Sequence, residues 1–459
     1  MPFRARLATL AAKLTRGVVR LSGRGQGSSL PGLVALRVDP RYLEHAAPQL
    51  GAVVLVAGTN GKTTTARLIA AALRAAGRTV VANPEGANLA SGAAAALAAA
   101  ARVGGRVQAD VAVLEADEDA LPRLARALPP HVLVMTNLFR DQLDRYGEVD
   151  SIARRWRGVV AELPPTARLV INANDPRLAQ LARGRRSTIT FGVGNTQVVG
   201  TPNRTAADAV RCPSCGDVLH GERFIAHLGV LTCSSCDYAT PQPDVALTAY
   251  QPKGFERSLV TLLLPSGALE VPSALVGRYN AFNIAAAAAA AQALDIPRTA
   301  FLAGVAAAGR AFGRGERLSV AGRHVYLHLA KNPTGYNEVL RGILDVDAAP
   351  HLLLALNDNW ADGQDVSWIW DVDFEDVAPR ATSLSVTGQR AGDLALRLDT
   401  AGARREVAVT PDLERAFDQA TQPGAGARAA PLHVVASYTA LLLLRQRLAR
   451  RGLVTTSHA

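Results

Sequence analysis

Length, composition and charge limit the class of protein. The chain has 459 residues, of which 49% are hydrophobic and 19% are charged. This balance excludes a disordered chain and predicts roughly two to four globular domains. The net charge of +11 and the pI of about 10 come mainly from arginine. The basic excess fits nucleic acid, an anionic membrane surface or a polyanionic substrate, and equally a genome biased toward Ala and Arg codons.

The N-terminal segment is basic and weakly amphipathic. Leu7, Leu10, Leu14 and Val18 recur near helical spacing, and the first 25 residues contain no acidic side chain. The segment lacks the apolar core of a secretion signal, and no stretch of the chain is long and apolar enough to span a membrane. We expect a helix packed on the first domain of a cytoplasmic protein. Contact of this helix with the inner membrane surface is the alternative.

The stretch Val53–Ala66 (VVLVAGTNGKTTTA) predicts a phosphate-binding loop between a strand and a helix. Backbone N–H groups of such a loop, with the positive end of the helix, cradle phosphate oxygens. The lysine of this pattern reaches the β- and γ-phosphates of a nucleoside triphosphate, and the following hydroxyl binds Mg²⁺. The predicted nucleotide-binding residues are Gly58, Thr59, Asn60, Gly61, Lys62, Thr63 and Thr64. A glycine-rich turn with an incidental lysine is the plainer alternative, because Val56 stands where the general motif has Gly or Ala.

Apolar strand patterns alternate with alanine-rich helical patterns from about Gly51 to Asn174. This alternation predicts a doubly wound, mostly parallel α/β sheet that binds ligands at the C-terminal ends of its strands. Glu115 follows one of these strands and can hold Mg²⁺ directly or through water, although a solvated acidic turn also explains it. Asp175 follows another strand in the segment NDP and is a candidate for contact with the nucleoside.

All four cysteines belong to two C-x₂-C pairs separated by 17 residues: Cys212, Cys215, Cys233 and Cys236. This spacing predicts a tetrahedral zinc site, and four thiolate ligands leave no open position, so the zinc would be structural. Two redox disulfides are the alternative, which a cytosolic chain disfavours. We interpret the segment as a zinc-ribbon insertion.

The second half of the chain predicts a helix and a further domain. Gly277–Ile284 (GRYNAFNI) precedes a run of alanines and places Asn280 and Asn283 on one face of a first helical turn. We predict a basic helical extension (1–45), a nucleotide-binding central domain (46–318) with the ribbon insertion (205–242), and a smaller C-terminal α/β domain (319–459).

The order of these motifs is similar to that of the Mur ligases. The shared motifs are xGTNGKTTT, an acidic residue after a strand, NDP, GxYNxxN and FGRxE. The Cys₄ insertion, Thr136–Glu148, Lys331–Glu338 and Asn357–Glu375 narrow the resemblance to the branch that forms the synthetase subunit of lipid II isoglutaminyl synthase. The resemblance covers residues from about 29 to about 445.

The resemblance implies an ATP-dependent, Mg²⁺-dependent amidation. The α-carboxylate of D-glutamate in the peptidoglycan stem peptide would become an acyl phosphate, and ammonia would convert it to D-isoglutamine. Lys62 and Thr63 would bind phosphate and Mg²⁺, Glu115 would be a metal ligand, and Asp175 and Asn280 would contact the nucleotide. A GatD-like glutaminase in a heterodimer would supply the ammonia, and a chain whose four thiols bind zinc retains no cysteine nucleophile of its own.

The resemblance also implies that this chain contributes an aspartate to the partner's Cys–His pair, where a carboxylate orients the histidine. We favour Asp365, with Asp362 as the alternative, in a loop that also carries Trp360 and Trp368. A loop this rich in aromatic residues fits an interface anchor, whereas an acidic capping loop is the plainer explanation.

Two other functions compete with this hypothesis. A stand-alone Mur or folylpolyglutamate-type amino-acid ligase shares the ATP chemistry but needs no partner. Only about 45 residues precede the phosphate-loop strand, which is too short for a UDP-binding domain and suits a lipid-linked substrate. A basic protein that binds nucleic acid is the third possibility, and the scattered arginines and 5% aromatic content disfavour it.

Overall fold

Two separate α/β sheets organise the chain. The computed structural model describes residues 1–21, 29–83, 87–139, 149–194, 211–309, 314–422 and 430–454. Parts of three predicted features lie outside these residues, namely 140–148 of the motif Thr136–Glu148, 205–210 of the insertion, and 312–313 of the segment FGRxE.

The larger sheet contains nine of the strands described before residue 274. In chain order the strands are β1 (Ala52–Ala57), β2 (Val80–Ala82), β3 (Val111–Ala116), β4 (Val132–Met135), β5 (Arg168–Asn172), β6 (Thr188–Val193), β7 (Leu219–Ile225), β8 (Leu228–Cys233), β9 (Val245–Lys253), β10 (Arg257–Leu264) and β11 (Gly267–Ser273). The sheet order is β11-β10-β9-β6-β5-β4-β1-β3-β2, while β7 and β8 pair only with each other. Strands β2 to β6 and β9 are parallel to β1, and β10 and β11 form an antiparallel edge. The predicted fold class is confirmed.

Helices cover both faces of this sheet. They are α1 (Phe3–Leu21), α2 (Leu30–Val38), α3 (Tyr42–Ala46), α4 (Lys62–Ala75), α5 (Ala90–Ala100), α6 (Leu121–Ala127), α7 (Val149–Glu162), α8 (Pro176–Ala182), α9 (Arg278–Ala293) and α10 (Arg298–Ala307). One apolar core lies on one face of the sheet and includes helices α1, α2, α3, α5, α6, α7 and α8. A second core lies on the other face and includes α4, α9 and α10. Buried faces on both sides explain why the central strands are continuous apolar runs.

The N-terminal helix α1 packs on helices α2, α3 and α5 through its small residues. Ala5, Ala8 and Ala12 are fully buried in the first core, and Thr9 hydrogen-bonds the Tyr42 hydroxyl at 3.1 Å. The larger apolar residues that stand out in the sequence face away from this contact. The expected packing is therefore present, but the alanine face makes it.

The phosphate-loop helix α4 is held by a close contact with α10. A Cβ added at Gly304 of α10 would lie 2.5 Å from the Cα of Ala72 in α4. The helix begins at Lys62, because the loop leads directly into its first turn.

The C-terminal unit contains its own sheet. Its strands are β12 (Arg314–Val320), β13 (Arg323–Leu329), β14 (His351–Ala355), β15 (Ser383–Thr387), β16 (Ala408–Val409) and β17 (Leu432–Ala436), in the order β12-β13-β17-β14-β15-β16. Its helices are α11 (Pro333–Leu344), α12 (Ala391–Thr400), α13 (Leu413–Thr421) and α14 (Tyr438–Arg450). All strand pairs except β12–β13 are parallel, so the carboxyl ends of β13, β17, β14 and β15 meet at one edge.

We predict that Gly304→Ala destabilises the protein, because the added methyl group collides with the backbone of α4. Overpacking of this kind costs about 1–3 kcal/mol. The matched control is Gly158→Ala in α7, where a Cβ meets no atom within 4 Å and alanine favours the helix by about 0.5–1 kcal/mol. Thermal unfolding should show a lower midpoint for the first variant and an equal or higher midpoint for the second. Equal midpoints for both variants would contradict the contact.

Candidate active site

The phosphate loop is shaped by the neighbouring strand β4. Gly58 and Gly61 have positive φ angles of 146° and 85°, which glycine adopts without strain. The backbone N–H of Asn60 donates to Asn137 Oδ1 at 2.8 Å, and Thr136 Oγ1 donates to the Asn60 carbonyl at 2.8 Å. A Cβ at Gly58 would collide with Thr136 Oγ1. These bonds stabilise the loop in the shape that a phosphate-binding loop requires.

Lys62 lies buried in the loop and pairs with an acidic residue. Its Nζ donates to the carbonyls of Gly58 and Thr59 and lies 3.2 Å from Glu118 Oε2. Burial alone would raise the pKa of Glu118, but the ammonium groups of Lys62 and Lys331 outweigh it and hold that pKa below its usual range. Glu118 therefore positions the lysine. The sequence shows it only as one member of an acidic turn.

Thr63 and Glu115 meet at the carboxyl end of β3. The Thr63 hydroxyl donates to Glu115 Oε2 at 2.9 Å. A hydroxyl beside a carboxylate, both hard oxygen donors, is a combination that suits Mg²⁺. These are the two residues that the sequence predicts as Mg²⁺ ligands, and the structure brings them together.

A cleft of about 630 Å³ opens between the phosphate loop and the C-terminal unit. Its polar lining consists of side chains and loop atoms of Asn60, Gly61, Thr64, Thr136, Asn137, Asn172, Asn283, Thr334 and Glu338. Its apolar wall consists of Phe139, Phe191, Ile225, Leu228, Phe282 and Val339. A cleft that combines polar groups with apolar side chains suits the phosphates and the base of a nucleotide.

Asp175 and Asn280 are placed behind the cleft rather than at its surface. Asp175 is fully buried, caps α8 through the N–H groups of Arg177 and Leu178, and accepts from the Leu138 N–H at 2.8 Å. Asn280 donates to the Val276 carbonyl and accepts from Asn283, which does line the cleft. Neither side chain lines the cleft, and their contact with the nucleotide stays a prediction.

The tip of the β7–β8 hairpin forms part of the cleft wall. Ile225 and Leu228 line the cleft, and His227 between them places Nε2 3.2 Å from Asp175 Oδ2. Burial alone would raise the pKa of Asp175, but His227 outweighs it and lowers that pKa. Asn174 also bonds the hairpin through the Gly229 backbone. The NDP segment thus holds the hairpin, which sequence reasoning missed although FIAHLGVL is apolar enough to indicate burial.

The four cysteines converge at the other end of this hairpin. All four thiols are free, and their Sγ atoms lie within 4.8 Å of one another. The Cys212–Cys236 and Cys215–Cys233 distances are 3.5 Å each. A tetrahedral zinc with Zn–S bonds of about 2.3 Å needs sulfur atoms about 3.8 Å apart. The donor set and its spacing fit zinc.

The aspartates of the Trp loop have different environments. Asp362 is buried and accepts from the Thr439 N–H at 2.8 Å and from the Thr439 hydroxyl. Asp365 is exposed, and hydrogen bonds from Ser367 lower its pKa. The structure therefore gives Asp362 a role in holding the loop and leaves the carboxylate of Asp365 accessible.

The chain on either side of the accessible aspartate is rich in tryptophan. Trp360 is 72% exposed and Trp370 is 50% exposed, whereas Trp368 packs on Tyr336 with ring centroids 5.7 Å apart. Sequence reasoning named Trp368 and missed Trp370, because a short 3₁₀ turn at Ser367–Asp371 decides which ring faces outward.

The same edge of the C-terminal sheet faces the phosphate loop. Asn332 caps α11 and donates to Asn60 Oδ1 at 3.2 Å. Glu338, six residues further along, is buried at the cleft and lies 3.6 Å from Arg341. Burial raises the pKa of Glu338 to about 7 despite the nearby Arg341 and Arg278. The C-terminal unit thus completes the cleft.

Comparison with known proteins agrees with this geometry. The profile of the Mur ligase middle domain matches residues 56–212, and that of the MurT ligase C-terminal domain matches residues 329–441. The MurT subunit of lipid II isoglutaminyl synthase (glutamine-hydrolyzing) from Streptococcus pneumoniae is 31% identical over 99% of both chains. The same subunit from Staphylococcus aureus (strain COL) is 30% identical over 88% of this chain and 90% of its own.

A solved structure shares the fold. The MurF ligase from Thermotoga maritima, in complex with ADP, has a TM-score of 0.64 and 16% identity, and the match covers 91% of this chain and 85% of that one. The fold and the phosphate loop define a ligase of the Mur type. With its near full-length similarity to two MurT subunits, the chain belongs to the MurT family.

We predict that Glu338→Gln changes how stability depends on pH. Because the folded-state pKa is about 7 and the ordinary value is 4.5, the native state keeps a proton that the unfolded chain releases. The contribution of this group to the free energy of unfolding is complete below pH 4.5 and is lost as the pH rises through about 7. The loss between pH 5 and 8 is about 2–3 kcal/mol. Urea unfolding of the ligand-free chain should show the wild type losing this amount relative to Glu338→Gln. Exposed Glu270→Gln is the control, and a pH-independent difference for Glu338→Gln would refute the prediction.

Proposed function

We propose that this chain is the synthetase subunit of an amidotransferase that amidates the D-glutamate of lipid II. A carboxylate oxygen attacks the γ-phosphorus of ATP, ADP leaves, and an acyl phosphate forms. Ammonia then attacks the acyl carbon, phosphate leaves with release of a proton, and the product is D-isoglutamine, the α-amide of D-glutamate. The observation that carries this proposal is an exposed aspartate beside exposed tryptophans on the sheet edge that faces a phosphate loop. The family membership of the chain supports it.

ATP would lie with its phosphates on Gly58–Thr64 and its base against the apolar wall of the cleft. Lys62 would exchange part of its pairing with Glu118 for phosphate oxygens, since both partners are already at the loop. Thr63 and Glu115 would hold Mg²⁺, which neutralises phosphate charge when bound. Asp175 and Asn280 would act as positioning residues, through the hairpin tip and through Asn283.

The proposed partner is a GatD-like glutaminase that forms a heterodimer with this chain. Asp365 is accessible and ionised at neutral pH, so it can orient a histidine of the partner. Trp360 and Trp370 are exposed beside it and suit a desolvated interface. Since the four cysteines converge on one site, glutamine hydrolysis needs a nucleophile from another chain. The stand-alone amino-acid ligase does not account for this exposed loop.

The proposed zinc is structural. The four thiols would close its coordination sphere, and the metal would stabilise the base of the hairpin whose tip lines the cleft. Loss of the zinc should therefore weaken nucleotide binding as well as destabilise the fold.

We predict that Asp365→Asn impairs amidation with glutamine as nitrogen source but not amidation with free ammonia. Amidation of lipid II with glutamine and the partner should fall by about 100-fold or more, because an amide cannot stabilise a protonated histidine. Amidation with free ammonia should stay within about twofold, since Asp365 does not line the cleft. The control is Asp393→Asn, another exposed aspartate of the C-terminal unit. Wild-type amidation from glutamine without the partner would overturn the division of labour, and no amidation from either source would overturn the function.

We predict that each chain binds one zinc ion and that Cys233→Ser loses it. The variant should melt at a lower temperature and bind ATP about threefold more weakly or worse, because Ile225 and Leu228 lose their support. Metal analysis, melting and nucleotide titration measure these effects. The matched comparison is Ile225→Ala, which should weaken ATP binding while it keeps the zinc. A zinc-free wild type with unchanged ATP affinity would contradict the prediction.

A further inference from the structure

The N-terminal helix α1 presents its large apolar side chains to solvent. Phe3 is 76% exposed, Leu14 is 63% exposed and Leu21 is 90% exposed. Leu7, Leu10 and Val18 are also exposed. At about 100° per residue these six side chains form one stripe along the helix, which at 19 residues is about 28 Å long.

This arrangement is the reverse of an ordinary surface helix. Such a helix buries its large apolar residues and exposes its polar ones. In α1 the buried side consists of Ala5, Ala8, Ala12 and Thr9, which lie opposite the stripe. The alanines already complete the contact with the first core. None of the six stripe residues belongs to that core, and a contiguous exposed apolar stripe of this kind indicates an interaction surface.

The charged residues beside the stripe indicate which kind of surface it would bind. The helix contains Arg4, Arg6, Lys13, Arg16 and Arg20 and no acidic residue. Arg4 and Arg6 are exposed and flank the stripe on opposite sides, about 80° from its centre. An apolar stripe bordered by cations is the pattern of a helix that lies in the interface of an anionic bilayer.

The helix lies on the surface rather than across the bilayer. In the described part of the chain, no helix is long and apolar enough to cross a membrane. The adjoining α2 exposes two more leucines, Leu30 and Leu33, while Pro31 and Gly32 face the protein.

We propose that α1 docks the protein on an anionic membrane surface, with the stripe from Phe3 to Leu21 in the headgroup region and Arg4 and Arg6 on lipid phosphates. This inference deepens the proposed function, since a lipid-linked acceptor lies at that surface. Docking would confine the enzyme to the plane in which lipid II diffuses.

The test is co-sedimentation of the full chain with vesicles of phosphatidylcholine, with or without phosphatidylglycerol. The wild type should bind only the anionic vesicles, and salt should weaken the binding. The double variant Leu7→Glu/Leu14→Glu should bind at least about tenfold more weakly. The control Leu396→Glu changes an equally exposed leucine in α12 and should bind as the wild type does. Arg4→Glu/Arg6→Glu should remove the preference for anionic lipid.

Other outcomes would overturn the proposal. They are failure of the wild type to bind anionic vesicles, unchanged binding by the double variant, and loss of self-association or of partner binding in that variant with no effect on vesicles. Sedimentation needs no turnover, so it is independent of the proposed function. Ammonia-dependent amidation of detergent-dispersed lipid II should be equal in wild type and double variant. Vesicle binding without any amidation would reject the function and keep the docking.

Discussion

The backbone N–H groups of the phosphate loop must point inward before a phosphate binds. If the loop became ordered only on binding, the free energy of ordering it would weaken the binding. Two glycines permit the turn, and the neighbouring strand holds it through Thr136 and Asn137. The same constraint applies to Lys62, whose buried ammonium group needs a counter-charge and finds it in Glu118. Much of the site can be understood as support for this loop.

Support also comes from elements far away in sequence. The NDP segment holds the hairpin tip through Asp175, His227 and Asn174, and the hairpin in turn supplies Ile225 and Leu228 to the cleft. The cysteine cluster at one end of the hairpin is thereby connected to Ile225 and Leu228, which line the cleft at the other end. This connection gives the ribbon a role in the active site that its sequence pattern alone does not indicate.

In the function proposed above, one edge of the C-terminal sheet serves two purposes. Asn332 and Glu338 face the phosphate loop, while Asp365 and Trp360 face solvent from the loop after β14. Parallel strands place all their carboxyl ends at the same edge, so a nucleotide cleft and a docking loop for a second subunit can be neighbours. That proximity suits a reaction in which ammonia must reach an acyl phosphate without loss.

The sequence by itself determined the features that depend on neighbours along the chain. Strand and helix periods, the glycine–lysine loop and the C-x₂-C spacing are local patterns, and the mostly parallel sheet follows from their order. Only the tertiary structure decided which side chains reach a surface. It buried Asp175, Asn280 and Asp362, exposed Asp365, and turned the alanine face of α1 inward instead of its leucines. Burial and facing depend on contacts between segments distant in sequence, and no local period encodes those contacts.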